Sequence, residues 1–170
     1  ATFNRKGFPV ADGHIYCICS DGDLMEGVSY EASSLAGHLK LGNLIYLYDD
    51  NQITIDGSTD LAFTEDRTKR FEAAGWHVSE VADGNDLKAI EKAIKEAQKV
   101  KNKPSRIRVH TIIGFGMQKQ GTSKAHSDAP GEEAVKETKR NLAWPEDKSF
   151  YVPKEALAHF RQAVKNGAAM

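Results

Sequence analysis

The stretch Ser-Asp-Gly-Asp at residues 20–23 follows an apolar run, His14–Cys19, at the point where a predicted buried strand ends. The stretch Asp-Asp-Asn-Gln-Ile at residues 49–53 follows a second apolar run, Leu44–Tyr48. One helix-length segment, Glu26–Lys40, lies between them and carries small and apolar side chains at helical spacing. This order of strand, turn, helix and strand is typical of a parallel α/β unit.

Oxygen-bearing side chains therefore follow the ends of two neighbouring strands. In open parallel sheets, ligands bind outside the carboxyl ends of the strands, so we expect Asp21 and Asn51 to point into one crevice. A carboxylate, an amide oxygen and a free backbone carbonyl suit a hard cation such as Mg2+, which commonly shares its ligands with a diphosphate. We interpret Asp23, in contrast, as a helix cap rather than a ligand.

The rest of the chain continues the alternation of strands and helices. We therefore predict the α/β class, with a parallel sheet that carries helices on both faces. Asp56-Gly57 is a turn signal after the second strand. The further elements predicted are a helix Arg67–Ala74 capped by Thr64, a strand Trp76–Val81, an amphipathic helix Leu87–Ala97 and a strand Ile107–Ile113.

Length predicts a single domain over residues 1–170. Within it we expect an arm or loop at residues 1–13, a mobile loop at 114–130 and a C-terminal helical segment at 131–170. That segment holds two predicted helices, Gly131–Leu142 and Lys154–Val164.

The charge balance favours neither nucleic acid nor an anionic membrane as a partner. There are 23 basic and 24 acidic residues, which gives a net charge of -1. No apolar run approaches the length of a membrane span. Cys17 and Cys19 lie two apart on one strand and point to the same side, which is a poor geometry for a disulfide. We interpret them as buried free thiols and expect a cytoplasmic protein.

Several longer stretches, taken in order, resemble the transketolases within the wider group of thiamine-diphosphate enzymes. The cofactor motif of that group is Gly-Asp-Gly, then slightly fewer than thirty residues, then Asn. The similar stretches are Asp21–Ser29, Glu31–Gly42, Tyr48–Asn51, Phe71–Val78 and Thr111–Gly116. The resemblance extends from about Phe3 to Pro153 and implies a thiamine-diphosphate-binding fold, here truncated.

The resemblance also implies cofactors and site residues. The cofactors would be thiamine diphosphate with Mg2+ or Ca2+. Asp21, Asn51 and the backbone carbonyl of Ile53 would hold the metal, and Gly22 and Asn51 would touch the diphosphate. His126 would be the catalytic histidine that contacts both cofactor and substrate.

The implied activity is transfer of two-carbon ketol units between sugar phosphates in the pentose phosphate pathway, by an enzyme that is a homodimer. Two local departures stand out. Ser20 replaces the first glycine of the motif, and the segment His126–Pro130 is one residue longer than the family's His-Gly-Ala-Pro. The chain is also far shorter than a transketolase, so we expect a fragment that is inactive alone.

Two other hypotheses remain at this point. The chain could be an isolated or redesigned α/β scaffold that binds nothing, or one part of a split transketolase that is active only with partner chains. Arg106 and Ser79 interrupt predicted strands. We interpret them either as strand-end residues in contact with solvent or as polar replacements on a surface that the parent enzyme buries.

Overall fold

A computed structural model describes residues 3–168 of the chain. The first two residues of the predicted arm and the last two of the predicted C-terminal segment lie outside the described residues. The chain divides into two compact units, one that ends at Ala129 and one that begins at Pro130. Whether they form the single domain predicted from length stays a prediction.

The first unit alternates strands and helices. Residues 3–13 form a loop that includes an isolated bridge between Arg5 and Phe8. The elements that follow are β1 (Ile15–Ser20), α1 (Asp21–Met25), α2 (Gly27–His38), β2 (Leu44–Asp50), β3 (Ile53–Thr54), β4 (Gly57–Ser58), α3 (Arg67–Ala73), β5 (His77–Val81), α4 (Leu87–Ala97), β6 (Ser105–His110) and α5 (Lys124–Ser127).

Four strands form one parallel sheet in the order β1-β2-β6-β5. The register pairs Cys19 with Tyr48 and Tyr48 with Arg108, so these side chains share one face. Ile45 pairs with Ser105 and Leu47 with Ile107 on the opposite face. The predicted α/β class with a parallel sheet is confirmed.

Helices cover both faces, as predicted. On one face, α4 packs its apolar side against the sheet. The buried side chains there are Ile45, Val81, Ala97, Ile107 and Val109. We call this the apolar face. Its cluster contains aliphatic side chains alone among the described residues, and α4 has the same bounds as predicted from its periodicity.

Helices α1, α2 and α3 cover the other face, which we call the polar face because charged side chains are buried there too. Its apolar cluster includes Cys19, Leu24, Tyr48, Phe71 and Trp76. The Trp76 indole N–H donates a hydrogen bond of 2.8 Å to the Ser33 carbonyl of α2. Gly37 of α2 lies so close to α3 that a Cβ there would meet the Ala74 carbonyl oxygen at 1.7 Å.

The prediction that the first strand is buried is wrong. β1 is an edge strand, and Tyr16 and Ile18 on its apolar-face side are 48% and 79% exposed, respectively. Its other face is covered, and Cys19 is buried. An apolar run indicates a strand, but it does not indicate whether a second layer covers that strand.

Several element boundaries differ from the predictions. Asp66, not Thr64, caps α3, and its carboxylate accepts a hydrogen bond of 3.0 Å from the Lys69 N–H. β2 extends two residues beyond Tyr48, to Asp50. The last strand is shifted towards the N-terminus and runs Ser105–His110. Each difference arises where a polar residue continues an element or caps it through its side chain.

Both interpretations of Arg106 are wrong. Its side chain is fully buried on the polar face, where it donates hydrogen bonds to the Arg67 carbonyl at 3.0 Å and to the Thr68 hydroxyl at 3.1 Å. Burial lowers the pKa of this guanidinium to about 10. The Ser79 hydroxyl is also buried and has no hydrogen-bond partner among the described residues.

The second unit contains two helices, α6 (Glu132–Asn141) and α7 (Lys154–Ala168). Both were predicted, with bounds that differ by a few residues. Trp144 and Tyr151 lie in the segment that connects the two helices. Their rings pack edge to face, with centroids 5.7 Å apart. Within residues 3–168, no helix combines the length and apolar character needed to cross a membrane.

Candidate functional site

A cleft of ≈ 730 Å³ lies at the carboxyl ends of β1 and β2. Four of the residues predicted for the site line it, namely Gly22, Asn51, Ile53 and His126. These residues come together because neighbouring parallel strands have their carboxyl ends on the same side of the sheet.

A small hairpin forms one wall of this cleft. β3 and β4 pair antiparallel, with Ile53 opposite Ser58 and Thr54 opposite Gly57. The turn predicted at Asp56-Gly57 is confirmed, and Gly57 has a φ of +147°, which few other residues adopt. Ile55 at the turn is 60% exposed although it lines the cleft. The hairpin thus presents apolar surface beside the polar ends of β1 and β2.

Asn51 lines the cleft as expected, whereas Asp21, which we expected to point into the same crevice, is only 1% exposed and is not among the lining residues. Its carboxylate accepts hydrogen bonds from the Tyr48 hydroxyl and, at 3.0 Å, from the Gln52 backbone N–H. Among residues 3–168, no ion pair compensates its charge. Burial raises the pKa of the Asp21 carboxyl, against the opposing hydrogen bond from Tyr48. A buried carboxylate in this state favours the approach of a cation.

The segment Asn51–Ile53 is held against Asp21 by a strained turn. Gln52 has a φ of +62°, an unusual conformation for a residue other than glycine, and it directs its N–H at the Asp21 carboxylate. The Asn51 amide oxygen accepts a hydrogen bond of 3.0 Å from the Ile53 N–H, and its amide nitrogen lies 3.4 Å from an Asp49 oxygen. The predicted metal ligands Asp21, Asn51 and Ile53 are therefore neighbours.

Gly22 lies in the first turn of α1. A Cβ at this position would meet no protein atom within 4 Å, so packing does not require glycine there. Gly22 also lines the cleft. Asp23 accepts hydrogen bonds from the Ser20 N–H at 2.8 Å and the Ser20 hydroxyl at 3.0 Å, which confirms Asp23 as a cap. The departure at Ser20 therefore stabilises the start of α1.

The helix predicted to begin near Glu26 is divided in two. The five-residue α1 begins at Asp21, and Glu26 is the residue that precedes α2. Gly22 and Met25 of α1 line the cleft, so the helix end nearest the predicted diphosphate belongs to α1 and not to α2.

His126 lines the cleft and is exposed. We predicted a loop position, and the structure places it in the four-residue helix α5. The residues before it are folded into turns. One of the hydrogen bonds that hold them runs from the Gly121 N–H to the Ile113 carbonyl, at 2.9 Å. The mobility expected for residues 114–130 stays a prediction.

Sequence reasoning missed a buried ionic group below the cleft. Asp50 is fully buried and pairs with Arg108 at 2.5 Å and Arg67 at 3.4 Å. Burial alone would raise the pKa of Asp50, but the hydrogen bond and charge of Arg108 lower it below the ordinary value. The Tyr48 hydroxyl, whose single proton is donated to Asp21, has its oxygen 3.1 Å from an oxygen of the same Asp50 carboxylate. The alternation of Tyr48 and Asp50 on one strand face was the available signal.

The donor set fits a magnesium ion held jointly with phosphate oxygens. Mg2+ is generally bound by one or two carboxylates together with phosphate, rather than by a cage of protein ligands. Asp21 would supply one carboxylate, and Asn51 and Ile53 would supply neutral oxygens. The described residues contain no group of three or more His, Cys, Asp or Glu side chains placed to hold a metal.

Comparisons with known proteins extend over the whole chain. Residues 1–170 match the family described as "Transketolase, thiamine diphosphate binding domain". A transketolase from Aquifex aeolicus is 52% identical over 168 residues, which cover 99% of this chain and 24% of that protein. One from Nostoc sp. is 54% identical over 170 residues, which cover 99% of this chain and 25% of that protein.

Solved structures of transketolases match the fold of this chain. A Pichia stipitis transketolase in complex with sedoheptulose-7-phosphate superposes with a TM-score of 0.94 at 47% identity. The transketolase from Leishmania mexicana also superposes with a TM-score of 0.94, at 45% identity. Both alignments cover 99% of this chain and 25% of the other. The chain spans about a quarter of the length of the relatives it matches, and it belongs to the family of transketolase thiamine diphosphate binding domains.

Proposed function

We propose that this chain supplies the thiamine diphosphate and Mg2+ half-site of an enzyme that transfers two-carbon ketol units between sugar phosphates. The observation that carries the proposal is Asp21. It is a buried carboxylate without an ion-pair partner among the described residues, and it is hydrogen-bonded to Gln52 between the cleft-lining residues Asn51 and Ile53, in a chain of this family.

In this proposal, the metal is held by the Asp21 carboxylate, the Asn51 amide oxygen and the Ile53 carbonyl. Mg2+ is preferred over Ca2+ because a single carboxylate with neutral oxygens leaves positions for diphosphate oxygens. Gly22 and Asn51 contact the diphosphate, and the absent side chain at Gly22 allows close approach to the backbone. When bound, thiamine diphosphate supplies the carbanion chemistry that ketol transfer needs.

His126 is proposed to act at the mouth of the cleft. Its imidazole can donate or accept a hydrogen bond near neutral pH, which suits a group that orients both cofactor and sugar phosphate. Its exposure leaves it accessible to a substrate that enters from solvent.

The whole enzyme's properties are also part of the proposal. We propose sugar phosphates as substrates, a cytoplasmic location and a homodimeric parent enzyme, by analogy with the transketolases that the chain matches over a quarter of their length. Turnover would need parts of a transketolase outside that matched quarter, so the chain alone should not convert sugar phosphates.

Thermal unfolding with thiamine diphosphate and Mg2+ tests the half-site. A ligand at 100 times its dissociation constant stabilises the native state by about 2.7 kcal/mol. At roughly 2–4 °C per kcal/mol for a chain of this size, the midpoint should rise by several degrees. Asp21→Ala and Asn51→Ala should each abolish the rise.

Asp56→Ala is the matched control, because Asp56 lines the same cleft from the turn between β3 and β4 but is not a proposed ligand. It should keep the shift. No shift in the wild type at millimolar cofactor would contradict the half-site and favour the non-binding scaffold. Sugar turnover that appears only after mixing with chains that carry the missing parts would favour the split enzyme.

A further inference from the structure

We propose that Tyr48 is a positioning residue, whose hydroxyl holds the Asp21 carboxylate in the orientation that binds Mg2+. The Arg106 and Arg67 guanidinium groups over the phenol ring hold Tyr48 in turn. The inference rests on the proposed function and adds to it a residue that does not itself touch the metal.

The first argument is the position of the Tyr48 hydroxyl. Tyr48 is fully buried, and its hydroxyl lies between two carboxylates, Asp21 and Asp50. The two acids differ, since Asp50 is neutralised by Arg67 and Arg108, whereas Asp21 has no ion pair among residues 3–168. The phenol therefore links a compensated carboxylate to one that still lacks a countercharge.

The second argument is the orientation of Asp21. One carboxylate oxygen accepts from Tyr48 and the other accepts from the Gln52 N–H at 3.0 Å. Each oxygen retains a lone pair, and rotation of the carboxylate would break one of the two hydrogen bonds. Tyr48 and Gln52 thus hold the carboxylate plane from opposite sides.

The packing around Tyr48 holds its ring in place. The Arg106 guanidinium lies 5.1 Å from the centre of the phenol ring, and that of Arg67 lies 6.0 Å from it. Arg106 is fully buried and is bonded to the Arg67 carbonyl and the Thr68 hydroxyl. This packing fixes the ring, and the ring places the hydroxyl.

The test compares Tyr48→Phe with Tyr46→Phe. Tyr46 lies two residues earlier on the same face of β2, and it packs edge to face on Trp76 at 5.0 Å. The dissociation constants of Mg2+ and of Ca2+ are measured by calorimetry on the full chain at saturating thiamine diphosphate. Loss of a residue that orients a metal ligand typically weakens metal binding ~10–100-fold.

The choice between the two ions separates positioning from a general structural role. Mg2+ demands near-octahedral geometry, whereas Ca2+ tolerates irregular ligands. We expect Tyr48→Phe to weaken Mg2+ binding by ~10–100-fold and Ca2+ binding by much less, and Tyr46→Phe to change neither. Equal binding by the wild type and Tyr48→Phe, or an equal loss for both ions, would overturn the role of Tyr48.

Failure of the proposed function gives a different result. A wild type that binds neither ion with thiamine diphosphate removes the half-site and this inference together. If Tyr48→Phe does not fold, the carbon-13 signal of the Tyr48 Cζ in the wild type is measured instead. It is assigned by elimination, through single Phe variants of the other four tyrosines, Tyr16, Tyr30, Tyr46 and Tyr151. Addition of Mg2+ should then shift the Tyr48 signal and leave the Tyr46 signal unchanged. An unmoved Tyr48 signal would overturn the proposal.

Discussion

The two faces of the sheet differ in what they bury. The apolar face packs Ile45, Ile107 and Val109 against α4, and its cluster is entirely aliphatic among the described residues. The polar face buries Asp21, Asp50 and Arg106 together with aromatic side chains. Burial of apolar surface favours folding directly, whereas burial of a charge costs free energy unless it is paired. The apolar packing that favours folding and the candidate site therefore lie on opposite sides of one sheet.

The largest expected effect comes from the apolar face. Ile107 is fully buried on a central strand, so Ile107→Ala should lower the free energy of unfolding by about 2–5 kcal/mol. Urea unfolding measures the change, and Ile107→Val, which costs about 0.5–1.5 kcal/mol, is the matched control. At temperatures where Ile107→Ala is folded, the cofactor-dependent stabilisation should persist. Its loss would mean that the two faces are not separable.

An intermediate effect should come from Cys19 on the polar face. Burial, with a smaller contribution from Cys17, raises the pKa of its thiol from 9.0 to about 12. Between these values the native state retains a proton that the unfolded chain has lost. Stability is therefore intact below pH 9.0 and falls as pH rises towards 12, by at most about 1.4 kcal/mol per pH unit.

Urea unfolding between pH 9 and 10 of wild type and Cys19→Ala measures this effect, because Tyr46 and Tyr48 have an ordinary value of 10.0 and contribute above that range. Cys19→Ala should flatten the decline. An equally steep decline in the variant would show that another group is responsible.

The smallest expected effect is a gain in stability, on replacement of Asp21. Burial raises the pKa of Asp21, so the native state binds its proton more tightly than the unfolded chain above the ordinary value of 3.8. Stability falls as pH rises from 3.8 to the raised pKa, and the cofactor-free protein remains less stable above that range. Asp21→Asn should therefore raise the cofactor-free unfolding midpoint slightly while it abolishes the shift with Mg2+ and thiamine diphosphate.

Asp50→Asn is the contrasting variant. The pKa of Asp50 is lowered, so its charge is favourable above 3.8, and its replacement should reduce stability at neutral pH. If both substitutions moved the midpoint in the same direction, the distinction between a compensated and an uncompensated acid on the polar face would be wrong.

Much of the fold could be predicted from local patterns. The periodicity of Leu87–Ala97 predicts α4 with the bounds observed, and the turn signal at Asp56-Gly57 lies at the tip of the hairpin. Local patterns did not indicate the exposure of Ile18, because exposure depends on the position of β1 at the sheet edge. The burial of Arg106 was missed for the same reason, since its partners lie about 40 positions away in the chain.

The amino-acid sequence by itself determined the family, the alternation of strands and helices, and the positions of Asp21 and Asn51 at strand ends. These properties follow from side-chain periodicity and from motifs that act over short distances along the chain. Only the tertiary structure decided that Tyr48 bridges Asp21 and Asp50, and that Asp50 is neutralised while Asp21 is not. Strand order brings Arg108 beside Asp50 across 58 positions of sequence, and no local pattern specifies such a pairing.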